Sequence, residues 1–285
     1  MAGDYLPLIY LEPDGDVSEN NPWHSSTQYQ LLEWIPSNAD LLFIGGTDWF
    51  SLPFPERQNW PKPIINLIQG FRHSIPDTPL YDCLSNHAIR ICVSQEVANS
   101  ILETGKVNGP VFTIPNGIDY SFFTRNNLAN SNKDIDLLIV GLKNPSMAKE
   151  LVTVFKDLPV TIKCLTEQLP RLDFIRTIAS SRIAVLLPHI TEGFYLPAIE
   201  GMALETIVIC PDCIGNRSFC FNGENCIMPT YTLDGIYSAI SSALAMNSSE
   251  INHIQNSAKA TSKLHNLDRE RRAFFEILAN VTSMW

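Results

Sequence analysis

Two carboxylates, Glu192 and Glu200, stand with seven residues between them inside the run Ile183–Arg217. Glu192 follows an apolar stretch that ends at Leu187-Pro188, which puts it in a loop after a strand. Gly193 beside it lets the backbone come close to a ligand and expose its N–H. Leu196-Pro197 then opens a helix, a place where proline is favourable. The positive end of that helix suits an anion such as a diphosphate. Glu200 lies one turn inside the same helix. A carboxylate there can accept two hydroxyl protons of a ribose through charge-assisted hydrogen bonds. The spacing predicts a site for a polyol joined to an anion.

Such a site must be carried by strands and helices. Apolar runs rich in Ile, Val and Leu predict strands at Leu6–Leu11, Asp40–Ile44, Pro63–Ile68, Ile89–Val93 and Val111–Ile114. A second set is expected at Ile135–Val140, Val160–Cys164, Ile183–Leu187, Thr206–Cys210 and Asn225–Met228. They lack strict alternation, which suits parallel strands covered on both faces. Helical patterns lie between many of them: Ser26–Trp34, Leu80–His87, Gln95–Thr104, Met147–Asp157, Leu172–Ser180 and Leu196–Leu204. Three more, Leu233–Met246, Ser249–Leu264 and Leu267–Thr282, close the chain. Alternation of this kind means α/β architecture. The polar, Asn-rich stretch 119–134 reads as a linker between two α/β series. Two small doubly wound domains, 1–118 and 119–268, would hold a ligand in the cleft between them at the carboxyl ends of their strands. Residues 269–285 form a final helix.

Charge narrows the partners. The chain of 285 residues has a net charge of −10, and residues 1–118 carry −8 of it, with 13 acids against 5 bases. Residues 119–285 hold 17 acids and 15 bases. An acidic first half is a poor surface for nucleic acid. The near-neutral second half keeps enough cations for a small anion. No apolar run of 18 residues suggests a membrane span. The acidic start, Met1 to Tyr5, does not read as a secretory signal. Seven cysteines, several in apolar runs, suit buried thiols in a reducing cytoplasm. Cys210-Pro-Asp-Cys213 with Cys220 and Cys226 reads first as buried small residues, with a zinc or redox site as the competing reading.

The segment Pro188-His189-Ile190-Thr191-Glu192-Gly193-Phe194-Tyr195-Leu196-Pro197, then Glu200-Gly201-Met202-Ala203, resembles the Glu-x7-Glu signature of the retaining GT-B glycosyltransferases of family four, or group 1. Ile114-Pro115-Asn116-Gly117-Ile118-Asp119, Val93-Ser94 and Asn222-Gly223-Glu224-Asn225 match further family motifs in the same order. Together they cover most of residues 63–245. The resemblance implies a GT-B fold of two Rossmann-like domains, with the final helix crossing back to the first. It implies transfer of a sugar from a nucleotide-diphosphate donor, a UDP- or GDP-sugar, with retention and without a metal or other cofactor. Glu192 would contact the donor sugar, and the backbone of Gly193, Phe194 and Tyr195 the sugar or diphosphate. Glu200 and Leu196 would hold the nucleoside.

The departures from the family pattern lie elsewhere. The turn Val140-Gly141-Leu142-Lys143-Asn144-Pro145 lacks the usual Arg, so Lys143 is the first expected phosphate contact, with Asn144 beside it and Lys149 second. Lys143 also reads simply as a solvated turn residue. Arg217 is another candidate cation. The first domain is short, and its candidate glycine loop is Gly45-Gly46-Thr47-Asp48, which either approaches phosphate or only turns the chain. In place of the family's first-domain histidine, Gln69 or His73 is expected near the donor, His73 as a second catalytic residue, with Arg72 in reach of phosphate. His24 and His189 are weaker candidates. The acceptor is expected to be a glycan, a polypeptide or a small molecule, and a homo-oligomer is compatible with the sequence. Two other readings compete with an active transferase: a GT-B-like partner subunit that has lost catalysis, and a sugar-nucleotide epimerase.

Overall fold

The computed structural model describes residues 5–15, 18, 21, 23–128 and 131–285. Its strands are β1 (Ile9–Tyr10), β2 (Gln30–Leu31), β3 (Leu42–Gly45), β4 (Ile64–Ile68), β5 (Ile89–Cys92), β6 (Val111–Thr113), β7 (Ile135–Val140), β8 (Ile162–Leu165), β9 (Ser181–Leu186) and β10 (Ile207–Ile209). Its helices are α1 (Pro79–Asp82), α2 (Gln95–Leu102), α3 (Tyr120–Arg125), α4 (Pro145–Phe155), α5 (Arg171–Ala179), α6 (Leu196–Ala203), α7 (Leu233–Leu244), α8 (Ser248–Leu264) and α9 (Leu267–Met284).

Two four-stranded parallel sheets form the core, a mixed α/β architecture. The first runs β3-β4-β5-β6, in simple chain order. Short 3-10 turns occupy much of its connections, so α2 is its one helix of two turns before β6. The second sheet runs β10-β9-β7-β8, with Leu137 of β7 opposite both Ile162 and Ile183. Its strand order reverses between β7 and β9. The loops leaving those two strands therefore diverge to opposite faces and open a crevice.

Burial explains the apolar runs. Leu137, Ile139, Val185 and Ile209 are buried with Ala148, Leu151 and Ile240 from α4 and α7. On the other face Leu138, Ala184 and Val208 pack with Ile175 and Ile199 from α5 and α6. A sheet covered on both faces has no polar side to alternate with. The first sheet is finished by the end of the chain: Ile277, Leu278 and Val281 of α9 pack on Ile65, Ile89, Ile91 and Ile114.

Three expectations fail locally. The expected helix Ser26–Trp34 is a single 3-10 turn at Thr27–Tyr29 followed by β2. None of its residues is buried, so nothing fixes a helical face. The expected strand at Asn225–Met228 is reduced to isolated bridges, Ile209 with Ile227 and Asn222 with Cys226. Asn225 is turned inward instead, donating to Phe219 O and Thr261 Oγ1. The expected linker contains α3, because Asp119 accepts from the Ser121 and Phe122 amides and caps it. Residues 129 and 130 of that stretch lie outside the described residues.

Candidate functional site

The crevice of the second sheet is built by two turns. After β7 the chain bends at Gly141, where a Cβ would come within 2.3 Å of Ala148 Cβ. Asn144 then caps α4, its Oδ1 accepting from the Met147 amide at 3.3 Å. Lys143 stands between them with Nζ 3.9 Å from Glu192 Oε1. Both are partly exposed, and such a pair contributes about 0–1 kcal/mol. Its significance is positional: one cation and one carboxylate meet where the strand order reverses.

The loop after β9 is held by backbone on both sides. Ile190 O accepts from the Ile214 amide at 3.0 Å, and Gly215 O from the Tyr195 amide at 2.9 Å. A Cβ on Gly215 would meet Glu192 O and Phe194 N at 2.8 Å. On the opposite side Glu192 forms an antiparallel bridge with Gly70, in the loop after β4 of the first sheet. A Cβ on Gly193 would lie 2.0 Å from Gln69 O. Three backbone layers are thus stacked, from 69–70 through 192–194 to 215. The glycines are required by close approach and not by turn geometry.

Phe194 and Tyr195 point inward. Phe194 packs on Phe219 and His265 with ring centroids 5.0 and 5.6 Å away. Tyr195 is buried, and burial pushes its phenol well above its usual range. Any ligand contact from these two must come from their backbone. Leu196 and Pro197 form the first turn of α6. One turn on, Glu200 is fully buried, and Oε1 pairs with Arg171 Nη2 at the start of α5. Oε2 has no hydrogen-bond partner among the described residues. A buried carboxylate oxygen without a donor is costly, about 1–3 kcal/mol or more, and a ligand hydroxyl would satisfy it.

The remaining candidates are placed differently. Arg217 makes a two-point contact with Asp212, Nε to Oδ1 at 2.9 Å and Nη2 to Oδ2 at 2.6 Å. These bonds raise the arginine's pKa and lower that of Asp212. The Gly45 amide donates to Asp48 Oδ2 at 2.8 Å, so the loop's own acid occupies a donor that a phosphate would use. Gly46 has φ +49° and serves the turn. His73 is 4% exposed, and neither ring nitrogen has a hydrogen-bond partner. Burial lowers its pKa to about 4, Arg90 adds to this, and the nearby Gly70 backbone opposes it without hydrogen-bonding geometry. His73 thus sits inside the first half as a neutral ring, while Gln69 is exposed at the bridge. His189 hydrogen-bonds Thr191 Oγ1 within its own loop.

All seven cysteines are free thiols. Burial, then Cys213, pushes Cys210 well above the usual thiol range, and Cys226 with burial does the same for Cys220. No group of three or more potential ligands with metal-binding geometry occurs among the described residues. Sequence reasoning missed Arg171, which only the packing of α5 beside α6 brings to Glu200. No helix of the described residues is long and apolar enough to cross a membrane.

Comparison with known proteins bears on this geometry. Residues 112–246 match the family model for glycosyl transferases group 1. No curated protein sequence matches the chain. Among solved structures, sucrose-phosphate synthase from Thermosynechococcus elongatus superposes with a TM-score of 0.66 at 14% identity, over 86% of this chain and 74% of that one. Trehalose-6-phosphate synthase from Burkholderia multivorans gives 0.65 at 11% identity, over 86% and 72%. Anabaena HepE, solved in complex with UDP-glucose, gives 0.57 at 14% identity, over 77% and 72%. At these identities the likeness is one of fold. The chain has the GT-B fold, and its residues 112–246 are similar to the glycosyl transferases group 1 family.

Proposed function

We propose that the protein transfers a sugar from a nucleotide-diphosphate donor to an acceptor hydroxyl, with retention and without a metal. The observation that carries this reading is Glu200: a buried carboxylate with one oxygen on Arg171 and the other awaiting a donor. A ribose hydroxyl supplies that donor. The diphosphate then lies at the amino end of α6, beside Gly193 and within reach of Lys143. Glu192, at the crevice mouth, takes the sugar hydroxyls near the reacting carbon. Lys143 and the helix end offset charge on the leaving diphosphate. UDP- and GDP-sugars are the donors of choice. HepE, solved with UDP-glucose, supports the former by fold likeness.

In this reading residues 1–118 are the acceptor side, 119–268 the donor side, and 269–285 the helix that joins them. The packing of α9 on the first sheet supports the last assignment. Seven free thiols support a reducing, cytoplasmic setting. One observation favours the alternative of a partner subunit without turnover. The turn after β7 has Leu142 and Lys143 where the resemblance implies an arginine, Arg217 is engaged by Asp212, and Lys143 faces Glu192, which leaves few cations for a diphosphate. The two readings separate in one assay. Sugar release from UDP- and GDP-sugars is followed for the wild type and Glu192→Ala. The transferase reading expects turnover that the variant lowers at least 100-fold. Equal rates would sink the role of Glu192, and nucleotide binding without any turnover would establish the partner subunit.

A further inference from the structure

Arg171 is the first residue of α5, and its own helix gives no reason for it. The amino end of a helix carries partial positive charge and disfavours a cation. Pro170 before it supplies no side-chain cap. The acid of the same turn, Asp173, is turned to Arg176, with Oδ1 3.6 Å from Nη1. What holds Arg171 is Glu200 of α6, through the contact of Nη2 with Oε1. A residue that breaks the local rule of its helix to serve another element is expected at a functional site.

The pair is lopsided. The side chain of Arg171 is 52% exposed, and that of Glu200 is 1% exposed. α5 and α6 share one apolar cluster, in which Phe174, Ile175 and Ile178 lie with Ala198, Ile199 and Met202. The two helices follow β8 and β9, so Arg171 stands at the carboxyl ends of the strands, on the side where the crevice opens. Among the described residues no other cation is within ion-pair distance of Glu200, and Oε2 has no hydrogen-bond partner. A buried ion pair adds little net stability over apolar side chains of similar size. A pair kept for the fold alone would also satisfy both carboxylate oxygens. This one fixes a single oxygen and leaves the other without a donor.

We propose that Arg171 is a positioning residue for the donor's ribose: it clamps Oε1 of Glu200 so that Oε2 accepts from the ribose hydroxyls, and the pair thereby selects ribonucleotides over nucleotides that lack those hydroxyls. The proposal rests on the donor reading given above, in which Glu200 meets the ribose. A carboxylate already held on one side has less rotation to lose when the ligand arrives. A buried acceptor left empty by a deoxygenated sugar is penalised in full.

Isothermal titration of the full chain with UDP, GDP and their 2′,3′-dideoxy counterparts tests this. The wild type is expected to bind at least one ribonucleotide about tenfold or more tighter than its dideoxy counterpart. Arg171→Ala should bring that preference below about threefold, and leave the affinity for the dideoxy nucleotide within about twofold of the wild type. Arg171→Lys should keep a preference of about tenfold, because the contact uses one nitrogen and an ammonium supplies one. Arg171 is exposed and alanine is a good helix former, so the variant should fold, and its circular dichroism checks this. If it does not, Arg171→Gln, which keeps more of the side chain without the charge, is measured in its place with the same expectation. An arginine with a merely structural role would lower the affinity for both sugars alike and leave the preference intact. That result overturns the proposal, as does loss of the preference in Arg171→Lys. A wild type that prefers the ribonucleotide beside an Arg171→Ala variant that keeps the preference would sink this proposal alone. A wild type that binds no nucleoside diphosphate, or binds both sugars equally, would sink the donor reading and this proposal with it.

Discussion

Gly193 has no space for a side chain, since a Cβ would lie 2.0 Å from Gln69 O. Gly193→Ala must push the loop after β9 away from the loop after β4. Overpacking of this kind costs about 1–3 kcal/mol, to be read as a lower midpoint in urea unfolding. Alanine at Gly46, with open space around its Cβ, should cost less despite φ +49°. His73 gives a pH prediction. Its folded pKa of about 4 lies below the unfolded value, so the unfolded chain binds the extra proton between about pH 4 and 6.5. The stabilisation is complete above pH 6.5 and is lost as pH falls toward 4, by up to about 3 kcal/mol. His73→Leu should flatten that part of the profile in thermal unfolding. The motif residues were legible because one loop and one helix carry them consecutively, so their chemistry is local. Asp48 on Gly45, Asp212 on Arg217 and Arg171 on Glu200 were not. The first two partners are near in sequence, but only the folded loops show that they occupy the donors. Arg171 belongs to a different helix, and no local pattern points to it.

The strand-loop-helix unit from β9 to α6 is the element that positions Glu192, Gly193 and Glu200, and β7 supplies the turn with Lys143. These elements were legible because strands buried on both faces read as unbroken apolar runs. The first half was harder to read. Its connections are short 3-10 turns whose few residues show no period, and its sheet is completed by α9 from the far end of the sequence. No local signal in Ile65 or Ile89 announces that partner. The helix is also tied at its start, where the Gly117 amide donates to Glu270 and Ile118 bridges Asn266. Ile277→Ala should therefore destabilise the chain by about 2–5 kcal/mol. The loss should appear in hydrogen exchange first at β4 and β5, the strands α9 covers. Protection lost equally in β7 and β9 would mean that α9 is not specific to the first sheet.

At the scale of the molecule, the asymmetry of charge has a structural basis. The second sheet brings Lys143 to Glu192 at the point where its strand order reverses, in the near-neutral part of the chain. The acidic first half meets it backbone to backbone at Gly70. The central claim is that α6 and Glu200 hold a nucleotide diphosphate. Thermal unfolding in the presence of a chelator, with UDP, GDP, ADP and their sugars, tests it directly on the wild type and Glu200→Gln. A ligand at about 100 times its Kd adds about 2.7 kcal/mol, a rise of several degrees in Tm. The account expects that rise with UDP or GDP and its loss in the variant. No rise with any of the nucleotides, or the same rise in Glu200→Gln, would contradict it.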